Sequence, residues 1–192
     1  MEDKKNKFRE TIDSIVVAFV IAMIIRAFCV QAYKIPSGSM LNTLLIGDHI
    51  IVNKLAYKFK KPAFQDIIVF EYPLDPTKDF IKRVIGCPGD KIKVENKILY
   101  RNGNPVDEKY VIHNDTSGFN VPDNPRDYVK EFIVPKDYYF VMGDNRDSSF
   151  DSRYWGFVNK NLIKGEAWFI YWSWQLGNNF TIRFNRILKP IR

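Results

Sequence analysis

A chain of 192 residues has room for one well-buried domain, but not for two large ones. Hydrophobic residues make up 46% of the chain and aromatic residues 15%, which excludes general disorder. The net charge of +7 comes from cations scattered among acidic residues, so we predict a solvated or membrane-proximal surface and no nucleic-acid partner.

The chain has few residues from which a disulfide or a metal site could be built. Cys29 lies in an apolar run and Cys87 beside a Pro-Gly turn, which is not the spacing of a disulfide framework. His49 and His113 are the only histidines, so a zinc site lacks ligands. We therefore predict no metal and no cofactor.

The N-terminus has the pattern of a membrane anchor. Residues 1–10 carry four cations and precede an apolar run, and a helix over residues 11–32 would be about 33 Å long, enough to cross a bilayer. Lys34 is the only lysine or arginine in the twenty residues that follow, so residues 1–10 are predicted to be cytoplasmic and residues 33–192 to lie outside. A cleavable signal sequence has similar features and stays an alternative.

A tight polar turn follows the apolar run. Pro36 stiffens its approach, and Gly38 lies between Ser37 and Ser39, so the backbone can turn sharply and present a hydroxyl and N–H groups. The same residue types form ordinary surface turns. The turn alone therefore indicates either a surface feature or a nucleophile.

Short β-type segments separated by turn residues make up most of the remaining chain. The pattern predicts strands at 49–53, 67–72, 80–85, 91–94, 97–101, 138–142, 167–174 and 180–184. Residues 107–135 are rich in Asn, Asp, Pro and Gly, and we predict a loop-rich insertion there. Long helices do not alternate with the strands, so the expected fold is a mainly β, antiparallel domain behind one transmembrane helix. Trp168, Trp172 and Trp174 are expected in its core.

The third predicted strand places one cation on each of its two apolar faces. Lys82 shares a face with Phe80 and Val84, and Arg83 points to the opposite face. In a central strand, loss of water around Lys82 would lower its pKa enough to make it a usable general base. On an edge strand, both cations would instead extend into water.

A dense polar loop at residues 143–153 contains three aspartates, two arginines and three serines. The spacing of its acidic residues is not that of a calcium-binding loop, and the two arginines would repel a cation. An internal Asp–Arg network that holds a serine hydroxyl is the favoured interpretation, although such a network can be purely structural. His49 and His113 are poorly placed for a Ser-His-Asp triad.

Four segments together resemble bacterial type I signal peptidases: residues 36–40, residues 47–48 with 52–54, residues 82–90, and residues 143–147 with 151–153. The resemblance runs from the apolar helix to about residue 156. It implies a Ser/Lys dyad protease, anchored in the cytoplasmic membrane and in contact with its lipid. The catalytic domain would face outward and remove signal peptides with small residues before the cut from exported preproteins.

The resemblance also implies roles for individual residues. Ser39 matches the nucleophile and Lys82 its general base, while Ser37 matches the residue whose hydroxyl joins the Ser39 N–H in an oxyanion hole. Ser149 matches a serine that hydrogen-bonds the lysine. The implied supporting residues are Asp151, Arg153, Asp144 and Arg146, and the implied substrate-binding residues are Pro36, Gly38 and Met40.

The chain departs from the usual family pattern at three positions. Asn42 stands where proline is common, Cys87 where an aliphatic residue is common, and Ser148 where asparagine is frequent. These changes bear on local rigidity and substrate preference. Two alternative functions are a catalytically inert, membrane-tethered β module and a self-cleaving Ser/Lys regulator of related fold.

Overall fold

The computed structural model describes residues 2–115, 124–175 and 180–192, with side chains from residue 9 onward. The helices are α1 Glu2–Phe28, α2 Ala56–Phe59 and α3 Ser152–Trp155, with short 3₁₀ helices at Arg146–Ser148, Lys160–Leu162 and Phe184–Arg186. The strands are β1 Val30–Lys34, β2 Asp48–Asn53, β3 Ile67–Tyr72, β4 Asp75–Gly86, β5 Lys91–Glu95, β6 Ile98–Arg101, β7 Asn104–Pro105, β8 Val129–Ile133, β9 Tyr138–Met142, β10 Val158–Asn159, β11 Ile163–Gln175 and β12 Thr181–Ile182.

Helix α1 projects from the rest of the protein. Its stretch Arg9–Phe28 has 20 residues and a mean hydropathy of 2.1, and none of it is buried within the described protein. An apolar surface of that extent is unfavourable in water, and 20 residues are long enough to cross a bilayer. The helix can therefore span a membrane by its length and composition.

The helix ends four residues before the predicted end at residue 32. Residues 30–32 belong instead to β1, which pairs with β2 through Val30 opposite Asn53 and Ala32 opposite Ile51. The partner strand lies about twenty residues further along the chain, so local hydropathy contains no signal of this pairing. The prediction for residues 30–32 was wrong for that reason.

The strands form two antiparallel sheets. The larger has the order β1–β2–β11–β3–β4–β9–β10, with β12 beside β11, and the smaller has the order β7–β6–β5–β8. Every paired strand in the described part of the chain runs antiparallel to its partner, which confirms the predicted fold class. Strands β3 and β9 have the predicted bounds.

In the described part of residues 107–135, one strand is present that was not predicted. Strand β8 lies within this range and pairs with β5, with Phe132 opposite Ile92. Residues 116–123 of the range lie outside the described residues, so the predicted insertion is described only in part. The pairing joins residues far apart in sequence, and the surrounding Asn, Asp and Pro residues concealed it.

Three apolar clusters form the core: two of them include the neighbouring β4 residues Val84 and Ile85, which point to opposite faces, and Ile81 of β4 packs against the third. Val84 packs in a cluster with Phe70 and Val141, and Ile85 packs in another with Ile92 and Phe140. The third cluster lies under β1, β2, β3 and β11 and includes Met40 and Leu44 from the turn region. Strand β4 thus lies between packed layers in the sheet interior.

The three late tryptophans do not lie in the core as expected. Trp168 is 56% exposed, and Trp172 and Trp174 are only half-buried. The register of β11 against β2 shifts at two irregularities, so its buried positions do not follow a strict two-residue alternation. Small or aliphatic residues such as Ala167 and Ile170 take the inward positions.

Candidate active site

Lys82 lies on an interior strand and its amine meets the serine of the polar turn. Nζ of Lys82 is 2.6 Å from Oγ of Ser39, and the lysine is only 5% exposed. Strand β4 is flanked by β3 and β9, which excludes the edge-strand alternative. The ring of Phe80, on the same face, has its centroid 5.6 Å from Nζ. A serine hydroxyl and a desolvated amine are therefore in direct contact.

Burial changes the acid–base chemistry of this amine. Loss of hydration penalises the ammonium form and lowers the pKa of Lys82 to about 8, although the negative charges of Asp151 and Asp144 oppose the shift. The positive charge of Arg153 lowers the pKa further. With a pKa of about 8, roughly one lysine in ten is neutral at pH 7, against roughly one in 3,000 for an ordinary lysine.

Arg83 occupies the opposite face of β4 and is also buried. Its Nε and Nη2 atoms donate to the two carboxylate oxygens of Asp144 at 2.8 and 2.6 Å, and its guanidinium lies 3.9 Å from the ring centroid of Tyr110. Thr43 also donates its hydroxyl to Asp144, at 2.5 Å. The paired charges fix the start of the polar loop against the segment that follows Ser39.

Ser39 lies on a closed loop at residues 36–47. The loop is joined at its base, where Gly47 N–H donates to Ile35 C=O at 3.0 Å and Ile35 N–H donates to Asp48 C=O at 2.8 Å. Met40 and Leu44 are buried beneath it in the core. Apolar burial thus turns one side of the loop inward and leaves Ser39 facing the cleft.

Asn145 is a site residue that the sequence analysis missed. Its backbone N–H donates to Ser39 C=O at 3.1 Å, and its side-chain Nδ2 donates to Gly38 C=O at 3.1 Å. A buried asparagine therefore fixes two successive carbonyls of the turn. The signal that could have identified Asn145 was its position in segment 143–147, which resembles the family. Its partners could not be found in the same way, because they lie more than a hundred residues away in the sequence.

Asp151 and Arg153 form the expected buried network near Lys82. Arg153 donates to both carboxylate oxygens of Asp151, at 2.8 and 2.9 Å, and Gly143 N–H donates to the same carboxylate at 3.0 Å. Burial alone would raise the pKa of Asp151, but the hydrogen bonds and charge of Arg153 hold it below its ordinary value. The carboxylate remains ionised and holds Gly143 next to the dyad.

The other expected supporting residues differ in their relation to the dyad. Ser149 is buried, but its Oγ makes no hydrogen bond to Lys82 Nζ. Arg146 binds Glu108 through two hydrogen bonds and, within the described residues, does not contact Lys82 or Ser39. It supports the site indirectly, because its Nε donates to the Gly143 carbonyl at 3.2 Å and its own carbonyl accepts from Arg153 at 2.7 Å.

A cleft of about 420 Å³ opens at the dyad. Pro36, Ser37 and Ser39 line one side, and Phe80 and Ile81 of β4 line the other. The structure therefore brings Ser37 and Pro36 to the same cavity as the dyad.

The remaining two expected substrate-binding residues do not line this cleft with side chains. Met40 is buried in the core, and Gly38 instead uses its carbonyl to accept from Asn145. In the described part of the chain, no group of three His, Cys, Asp or Glu residues has the arrangement of a metal site.

Gly143 packs so closely against the dyad that a side chain there should disrupt it. A Cβ atom at this position would overlap Ser39 O and Ser149 Oγ. We expect Gly143→Ala to lower the rate of any reaction that the Ser39–Lys82 pair carries out about 10- to 100-fold, because a displacement of about 1 Å in a reacting group has that effect. Gly103→Ala is the control: its φ of +83° makes the substitution strained, but it lies in a turn of the smaller sheet with open space around it, so it tests the effect of backbone strain away from Ser39. Equal rates for the two variants would contradict this role of Gly143.

Comparison with known proteins identifies the family. The model described as "Signal peptidase, peptidase S26" matches residues 8–172. Signal peptidase I of Aquifex aeolicus is 36% identical, with 86% of this chain and 84% of that protein covered. Signal peptidase IB of Staphylococcus aureus (strain MRSA252) is 38% identical, with 94% and 96% covered. A solved signal peptidase I structure from Enterococcus faecalis V583 is 36% identical, with 56% of this chain and 97% of that chain covered and a TM-score of 0.44. The chain therefore belongs to the signal peptidase family, peptidase S26.

Proposed function

We propose that this chain is a signal peptidase I, which removes N-terminal signal peptides from exported preproteins with Ser39 as nucleophile and Lys82 as general base. The observation that carries the proposal is the 2.6 Å contact between Ser39 Oγ and the buried Lys82 Nζ. Membership of the signal peptidase family supports the choice of substrate class. An inert binding module would have no need of a desolvated lysine against a serine.

The chemistry follows from the protonation state of the lysine. Neutral Lys82 accepts the Ser39 proton as Oγ attacks the carbonyl carbon of the scissile bond. When the tetrahedral intermediate collapses, the C–N bond breaks, and protonated Lys82 donates its proton to the leaving amine. Water, deprotonated by Lys82, then attacks the acyl carbon. The bond from this carbon to Ser39 Oγ breaks, Oγ takes the proton back from Lys82, and the signal peptide leaves with a new carboxylate.

The oxyanion of each tetrahedral intermediate needs donors on the cleft side of the turn. We assign this role to the backbone N–H of Ser39 and the hydroxyl of Ser37, both on the side of the cleft that carries the nucleophile. Such donors are typically worth about 3–4 kcal/mol each in the transition state. Asn145 fixes the Gly38 and Ser39 carbonyls and so orients this backbone.

The apolar helix determines where the reaction takes place. In this proposal α1 crosses the cytoplasmic membrane with the basic residues 1–10 inside, and the β domain faces outward in contact with lipid. Only residues 29–35 separate the end of α1 from the turn, so Ser39 stays near the membrane surface from which a signal peptide emerges. A preprotein and the protease would thus share one membrane.

The test is a processing assay with the full chain in detergent micelles. A preprotein with an Ala-x-Ala site is expected to be cut once, directly after the second alanine, as read by N-terminal sequencing of the product. The matched substrate carries phenylalanine in place of that second alanine, and we expect its cleavage to fall at least about 100-fold, because the proposed substrates have a small residue directly before the cut. No cleavage of the first substrate would overturn the proposed function.

A further inference from the structure

A buried arginine near the end of the chain contacts the loop that carries Ser39. Arg186 follows the region matched by the family model, which ends at residue 172. It is buried, and its Nε and Nη2 atoms donate to the two carboxylate oxygens of Asp48 at 3.1 and 2.5 Å. Nη2 also donates to the carbonyl of Thr43 at 2.9 Å. One guanidinium thus holds the last part of the loop at two points.

Asp48 is the partner that makes this contact rigid. It is fully buried and also accepts from the Leu45 N–H at 2.8 Å and from the Ser173 hydroxyl at 2.6 Å. Burial would raise the pKa of this carboxyl, but the hydrogen bonds from Arg186, Ser173 and Leu45 keep it below its ordinary value. The carboxylate is therefore ionised and bonded on both oxygens, so neither group of the pair can move alone.

Thr43 links this ion pair to the active site. Its carbonyl accepts from Arg186, while its hydroxyl donates to Asp144, the residue directly before Asn145. Asn145 in turn holds the carbonyls of Gly38 and Ser39. The loop is therefore held at Gly38 and Ser39 by Asn145, and again at Thr43, which bonds both Asp144 and Arg186.

We propose that Arg186 is a positioning residue, which holds the 36–47 loop so that Ser39 Oγ stays in contact with Lys82 Nζ. The inference rests on the proposed function of the dyad. The loop contains no strand, so no sheet ladder fixes its position relative to β4, and side-chain bonds add to the core packing of Met40 and Leu44 and to the Asn145–Ser39 backbone bond. Without Arg186, the Thr43 carbonyl loses its donor and Asp48 loses its principal cation, and the loop can shift away from Lys82.

The predicted consequence includes a change in the acid–base behaviour of Lys82. The charged groups that act on this amine are Asp151, Asp144 and Arg153, and Ser39 covers it within the cleft. A displaced loop admits water to the amine, which favours the ammonium form and raises the pKa. The rising limb of the pH–rate profile, with a midpoint expected near 8, should therefore move to higher pH.

The experiment compares Arg186→Met with Arg101→Met in the 192-residue chain. Arg101 donates to the buried carboxylate of Asp90 at 2.8 Å in the smaller sheet and has no contact with the loop, so it is a matched loss of an ion pair. We expect kcat of Arg186→Met to fall about tenfold with KM changed less than threefold, and its rising limb to shift upward. Arg186→Lys should recover part of kcat. Arg101→Met should keep the rising limb of the pH–rate profile at the wild-type position.

Each alternative outcome is informative. If both arginine variants lose thermal stability but keep the wild-type limb and kcat per folded molecule, Arg186 is only structural and the inference fails. If Arg186→Met cannot be produced as folded protein, the pH–rate profile of Arg186→Lys is used instead, and an unshifted rising limb again means that Arg186 is only structural. A different result would count against the dyad itself: either the wild-type rate does not rise with pH near 8, or the rise persists in Lys82→Met.

Discussion

Replacing Ser39 by alanine is expected to lower the rate of preprotein processing by at least about 10⁴-fold, because the atom that forms the acyl-enzyme is removed. The variant should remain folded, since the change deletes one oxygen and one hydrogen bond, worth about 1 kcal/mol. The measurement is single-turnover cleavage of a preprotein with an Ala-x-Ala site. The control is the melting temperature of the same preparation.

The same experiment separates the proposed protease from the inert β module. Residual activity close to wild type in Ser39→Ala would mean that another group attacks the peptide bond. An additional test is Ser37→Ala, which keeps the nucleophile and removes one oxyanion donor, and which we expect to lower kcat about 10²- to 10³-fold. A Ser37→Ala rate below that of Ser39→Ala would contradict the two assigned roles.

Replacing Lys82 by methionine is expected to lower kcat about 10³-fold, because methionine has a similar length and no group that accepts a proton. In the wild-type protein the rate should rise with pH through the pKa of about 8, since only neutral Lys82 acts as the base. The variant should lack that rising limb. A limb that persists in Lys82→Met would assign the titration to another group.

The two variants should also show that the residues act as a unit. Because Ser39 is activated only through Lys82, the double variant is expected to be no slower than Ser39→Ala alone. Multiplicative losses would mean that serine and lysine serve different steps. The comparison needs only the single-turnover assay and the three preparations.

Lys82→Met has a further effect on stability. The folded-state pKa of Lys82 is about 8, below the ordinary value of 10.5, so the unfolded chain binds more protons between these values and wild-type stability rises with pH there. Below pH 8 the buried ammonium costs about 3 kcal/mol. We expect Lys82→Met to melt at a temperature equal to or above wild type at pH 7 and to lose this pH dependence. A clearly lower melting temperature would contradict the burial argument.

Sequence periodicity was sufficient where an element is defined by its own residues. Strand alternation placed Lys82 and Arg83 on opposite faces of one strand, and both cations are buried there as the central-strand prediction required. The apolar run predicted α1, and the turn residues predicted strands β3 and β9 with their observed bounds. These features depend on interactions between near neighbours in the chain, which a sequence displays directly.

The contacts that assemble the site depend on residues far apart in sequence. Ser39 meets Lys82 across 43 positions, and Asn145 Nδ2 meets the Gly38 carbonyl across 107 positions. Sequence patterns identify residues that are candidates for such contacts, but they do not show which residues contact each other, because that depends on the order of the strands in the sheet. Asn145 was therefore missed although it stood within a segment that resembled the family.

The sequence by itself determined the apolar helix and the β class, and its resemblance to a known family selected Ser39 and Lys82 as candidates. Tertiary structure decided that β4 lies in the sheet interior, because the flanking strands β3 and β9 remove water from Lys82 and lower its pKa. It also decided how the Ser39 loop is held, through Asn145 on one side and Arg186 on the other. Desolvation and long-range hydrogen bonds are properties of the packed protein, so they appear only once the chain is folded.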